Sequence, residues 1–130
     1  MANIHAATIA EAGRSSGEWV FIDLGFASQA KSCGLLVGED EARALSFSQL
    51  QTEILSICIQ RKTPLNVLLE APLSVAFGPN GNPTGRSVEK RNGQTRYWYV
   101  GLGCSVLVAA TYLLRSIHDL PFHREIRLFE

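Results

Sequence analysis

The chain has 130 residues, 46% of them hydrophobic and 18% charged. That is enough for one domain with a true core, and too apolar for a disordered polymer. Twelve basic and twelve acidic side chains cancel, so bulk charge excludes a generally basic nucleic-acid binder, and any cationic footprint must be local.

Residues 1–17 carry one basic residue, Arg14, and no apolar run of signal-peptide type. They read as a flexible tail or short helix, ahead of a single domain over 18–130. Cys33, Cys58 and Cys104 lie far apart in apolar stretches, with no CxxC pair or Cys/His cluster. They read as buried, reduced thiols of a cytoplasmic protein. His5, His118 and His123 show no metal-ligand spacing and read as surface residues.

The core begins at Trp19-Val20-Phe21-Ile22-Asp23-Leu24-Gly25-Phe26, a strand pattern with a carboxylate inside an apolar run. An unpaired buried carboxylate is costly and usually finds a metal, a cation or a proton. Gly25 leaves room for a ligand or another backbone. Residues 31–38 read as a second strand after a hairpin-sized connection, and 42–47 as a third. Tight turns make the three antiparallel. From Phe47 the period changes, with Leu50, Ile54, Ile57 and Cys58 at helical spacing, Ser46 or Ser48 as N-cap, and Thr63-Pro64 as the stop. Residues 66–73 form another apolar strand run, holding Glu70.

Residues 78–96 are rich in glycine and proline and read as the one long irregular stretch. It carries Arg86, Lys90, Arg91 and Arg96 against the single acid Glu89. Arg86, Arg91 and Arg96 are candidates to hold substrate phosphates, and Tyr97, Trp98 and Tyr99 to stack on bases. The spacing of 80–87 does not make a P-loop. Residues 97–114 contain no charge, and Arg115 closes them. At 18 residues they reach the lower limit of a membrane span, but the small polar residues among them favour a helix over 97–117 that pairs two chains as a homodimer. Residues 124–130 alternate as a last strand, with Ile126, Leu128 and Phe129 inward.

The order strand, strand, strand, helix, strand, helix, strand resembles the ribonuclease H-like fold over 19–130: an α/β class with a mixed sheet. Val20-Phe21-Ile22-Asp23-Leu24-Gly25, followed by Cys33-Gly34-Leu35-Leu36-Val37, is similar to the opening hairpin of Holliday junction resolvases of the RuvC type. Leu68-Leu69-Glu70-Ala71-Pro72-Leu73 is similar to their fourth strand. Ala71-Pro72-Leu73 and Gly85-Arg86-Ser87-Val88-Glu89-Lys90-Arg91 resemble a family of predicted nucleases of the same fold.

The resemblance implies a metal-dependent nuclease acting on nucleic acid. Asp23 and Glu70 would be ligands of Mg²⁺ or Mn²⁺, Glu89 a further catalytic position, and Arg86 and Arg91 neighbours of the phosphates. A departure stands beside it. Active members bring a further carboxylate from a helix after the fifth strand, and this sequence stops at Glu130, so either the last helix is absent or the fifth strand is misread. A non-catalytic binding or assembly module of the same fold is the second expectation. An actin-like nucleotide-binding domain, which also opens with Asp-x-Gly in a hairpin, is the third.

Overall fold

The computed structural model describes residues 1–14, 16–26, 30–74, 76–95, 102–121 and 123–130. The chain runs β1 (Asn3–Ala6), α1 (Ile9–Ala12), β2 (Glu18–Asp23), β3 (Cys33–Val37), β4 (Arg43–Leu45), α2 (Phe47–Gln60) and β5 (Leu65–Glu70). It continues through β6 (Ala76–Phe77), β7 (Pro83–Thr84), a 3-10 turn (Ser87–Glu89), β8 (Lys90–Arg91), β9 (Gln94–Thr95), α3 (Leu102–His118) and β10 (Glu125–Phe129). Six strands form one mixed sheet in the order β1-β10-β5-β2-β3-β4. The protein is α/β, with β2, β3 and β4 antiparallel and β2, β5, β10 and β1 parallel.

Alternation of side chains across β2 sorts the two faces of this sheet. Val20 and Ile22 pair in register with Val67 and Leu69, and all four are buried. With Leu35, Val37, Leu65 and Ile126 they form the face on which both long helices pack. Each such fully buried aliphatic contributes about 1.5–3 kcal/mol relative to exposure.

The helix α2 starts where its capping chemistry dictates. Ser46 Oγ accepts from the Gln49 amide at 3.3 Å, and Gln49 Oε1 accepts from the Ser46 amide at 3.0 Å. Its buried stripe is Leu50, Ile54 and Cys58, and Arg61 leaves the helical conformation ahead of Pro64. Burial pushes the Cys58 thiol up to about 11. In α3, Ala109, Ala110, Leu113 and Ile117 face the sheet, and Gln51 Nε2 donates to Ser116 Oγ at 2.9 Å across the two helices.

The opposite face is less covered. Trp19 stacks on Phe21 with ring centroids 5.8 Å apart and meets Phe129 at 4.9 Å, while Phe21 stays 38% exposed. Asn66 is fully buried there, beside Arg127, and both side chains donate to the Ser16 carbonyl.

Several expectations change. The segment expected as tail or short helix holds the helix α1 but also β1, which pairs in parallel with β10. The stretch expected to be irregular contains two short antiparallel ribbons, β6–β7 and β8–β9. Asn92 (φ 51°) and Gly93 (φ 73°) make the turn of the second, both in the left-handed region that a two-residue hairpin requires. Cys33 and Cys58 are buried as expected, whereas Cys104 is exposed on the first turn of α3. That helix begins at Leu102, and the earlier part of the expected 97–117 helix lies outside the described residues. Among those residues no helix is long and apolar enough to cross a membrane.

Gly25 illustrates how tightly the β2–β3 connection is drawn. Its carbonyl accepts from Ser32 Oγ at 2.5 Å, and a Cβ at this position would run into the Ser32 carbonyl oxygen. Another backbone, and not a ligand, uses the space. Gly25→Ala is therefore expected to lower stability by about 1–3 kcal/mol, read as an earlier midpoint in urea at unchanged slope.

Candidate functional site

The parallel register of β2 and β5 sets Glu18 against Leu65 and ends by setting Asp23 directly against Glu70. Each carboxylate is the last residue of its strand, so the pair stands at the carboxyl end of two central parallel strands. Open α/β sheets place ligands at that edge. Both side chains are exposed, which corrects the expectation of a buried Asp23. The apolar run 19–26 is not covered on both faces: Asp23 follows Trp19 and Phe21 onto the more open one. Water solvates the charge at the strand end, so no desolvation penalty demands a partner.

Gly34 lies opposite Asp23 on β3. A Cβ there would sit 3.4 Å from Asp23 Cβ and 4.0 Å from its Oδ2. Glycine thus keeps the flank of this carboxylate open, a role the sequence motif showed only as a small residue near the strand start.

On the other flank, Glu70 borders a groove of about 410 Å³ floored by Leu69, Ala71, Pro72 and Val106. Its far wall is Arg86, Glu89 and Glu130. The structure thus brings Glu70, Arg86 and Glu89 to one groove and gives the last two a specific occupation. Arg86 Nε donates to Glu89 Oε1 at 2.8 Å, and the Arg86 amide donates to Glu89 Oε2 at 2.6 Å. Arg86 Nη1 donates to Ser74 Oγ at 2.9 Å and to Glu130 Oε1. The Leu73 amide donates to the same Glu130 oxygen at 3.1 Å.

Burial alone would raise the Glu130 carboxyl. Hydrogen bonds from Ser74, Arg86 and the Leu73 amide, with the Arg86 charge, outweigh it and hold the group below the usual range. Burial likewise opposes the Arg86 charge, and the two glutamates more than restore it. With its folded-state value depressed, Glu130 contributes stability at neutral pH that is lost as pH falls through that value.

Arg91 is exposed on β8 beside Lys90, directly after Glu89 in the chain. Arg96, with Tyr97, Trp98 and Tyr99, lies outside the described residues. Glu130 and Ser74 had not stood out in the sequence as site residues, and of the two only Glu130 carried a signal, as a carboxylate just past the last alternating strand.

Asp23 and Glu70 are hard oxygen donors, and their open surroundings leave room for water. This suits one Mg²⁺ or Mn²⁺ that keeps part of its hydration shell and takes one or two carboxylates. Among the described residues no group of three or more His, Cys, Asp or Glu could hold a metal ion. The two carboxylates present fit a site for one such ion. Comparison with protein-family models, curated proteins and solved structures finds no match for the chain.

Two like charges opposite each other on neighbouring strands destabilise the pair. Glu70→Gln is accordingly expected to stabilise the metal-free protein by about 0.5 kcal/mol, measured in urea with a chelator present. A loss of stability would show that Glu70 is a structural group.

Proposed function

We propose that the chain is a ribonuclease H-like, divalent-metal-dependent phosphodiesterase acting on nucleic acid. One observation carries the reading: Asp23 and Glu70, 47 residues apart in sequence, are register partners at the ends of adjacent parallel strands. With the ribbons β6–β7 and β8–β9 set aside, which lie outside the six-stranded sheet, the order from β2 to β10 is three strands and then helix, strand, helix, strand, and supports it as the order that resembles this fold.

Asp23 and Glu70 would hold Mg²⁺ or Mn²⁺. Such an ion, when bound, supplies charge stabilisation at a phosphoryl group and a more acidic water. The remaining work falls to side chains around it. Gly34 leaves the space beside Asp23 that an extended ligand needs. Lys90 and Arg91 offer exposed cations for backbone phosphates, a contact that weakens with salt. Arg86 positions the segment that carries them, because its own charge is already met by Glu89 and Glu130.

A second reading is a non-catalytic module, favoured by the lack of a third metal-binding side chain among the described residues. In that case the exposed apolar side of α3 would be the working surface. Phe26, Phe47 and Tyr112 form a chain of ring contacts at 6.1 and 6.4 Å beside Val108, which is 68% exposed, along a groove of about 480 Å³. A second copy of the chain would cover it, as the sequence expectation of a homodimer has it.

Thermal melting in Mg²⁺ or Mn²⁺ separates the two. At an ion concentration 100-fold above its dissociation constant, a native-state site adds about 2.7 kcal/mol. The wild-type melting temperature is expected to rise, with Asp23→Asn and Glu70→Gln unresponsive. Equal, negligible shifts in all three proteins would leave the assembly reading.

A further inference from the structure

The segment 76–95 stands apart from the sheet in its bonding. Its four strands pair only as the ribbons β6–β7 and β8–β9, and none joins the six-stranded sheet. Much of its surface faces solvent, with Phe77 63% and Val88 80% exposed. Gly85 is buried, packed under Thr95, so the segment has a small internal contact of its own. Two-residue ribbons are not stable independently. The segment must therefore be held by what it touches on the main body.

One polar cluster among the described residues ties it there. Arg86 and Glu89 form a pair within the segment, three residues apart, and move with it. Glu130, just past β10, and Ser74, just past β5, supply the body's half of the cluster. Glu130 is itself fixed by the Leu73 amide. The Arg86 and Glu130 side chains are 23% and 29% exposed, so water screens this pair less than a surface one. The same wall closes the groove beside Glu70.

We propose that 76–95 is a strap, latched over the groove beside Glu70 by the Arg86–Glu130 ion pair, which opens as a unit when that pair is broken. Opening removes one wall of the groove and frees Glu130 and Ser74 from Arg86, while Glu89 stays paired with it. It also swings Lys90 and Arg91 away from the body. The latch is independent of the chemistry assigned to Glu70, and its test needs neither metal nor substrate.

Peptide-resolved hydrogen–deuterium exchange on the full chain in chelator tests it. In Glu130→Gln, amides across 76–95 are expected to exchange at least tenfold faster, because freed ribbons fray, while β2 and β5 keep wild-type rates. Arg86→Gln should reproduce this, and Arg86→Lys, which keeps the charge but loses the fork, should fall between. Glu125→Gln, which breaks the neighbouring pair with Arg127, should match wild type. Unchanged exchange of the strap in Glu130→Gln would overturn the proposal. So would acceleration of β2 and β5 alongside it, since the segment would then be an integral part of the fold.

Discussion

The pairing of β2 with β5 is the constraint on which the rest of the structure depends. Six residues of each strand align in parallel at the centre of the sheet, from Glu18 against Leu65 to Asp23 against Glu70. One face of this ladder, Val20 and Ile22 with Val67 and Leu69, supplies the surface that α2 and α3 cover. Because side chains alternate with a period of two, a slip of one residue in either strand would turn its apolar set away from the helices. The same slip would part Asp23 from Glu70. Core formation and the juxtaposition of the two acids are thus a single event.

Charge is handled in opposite ways on the two sides of Glu70. Toward β2, two carboxylates face the solvent with no cation among their strand neighbours, and water bears most of the cost. Toward the groove, one guanidinium is shared by two carboxylates in a partly buried cluster, where loss of Arg86 would leave both without their cation. The first arrangement stores a modest repulsion that a cation would relieve. The second is already neutralised in large part and serves to hold a segment in place.

Much of this was legible in the sequence where local and long-range signals agree. The helix α2 declared itself by period, by Ser46 and by Pro64. β2 and β5 declared themselves by continuous apolar runs, and their pairing made the Asp23–Glu70 partnership visible as a consequence of topology. Burial was harder to read. The run from Trp19 to Phe26 is apolar at nearly every position, and only the cover given to each face shows that Asp23 lies on the wetter one. Asn92-Gly93 is a strong hairpin signal that the surrounding glycines and prolines masked. Arg86 shows how composition misleads: its charge suggested a phosphate, but its partner Glu130 is distant in sequence and found only by folding. β1 was illegible for a related reason, since Asn-Ile-His-Ala has no pattern of its own and becomes a strand only beside β10.

That last pairing has a consequence for how the molecule is made. Asn3 is matched to Glu125, and the Asn3 amide donates to the Arg124 carbonyl at 2.6 Å, so β1 has as its neighbour a strand far along the chain from it. During translation β1 must wait, with its backbone groups satisfied by water, until β10 has emerged. β5 likewise keeps one bare edge until β10 arrives to fill the gap between them. Closing so long a chain segment is entropically slow, and an unfilled sheet edge is open to other strands in the meantime. The half of the sheet beyond β5 is therefore completed in one step, in which β10 joins β1 and β5 together.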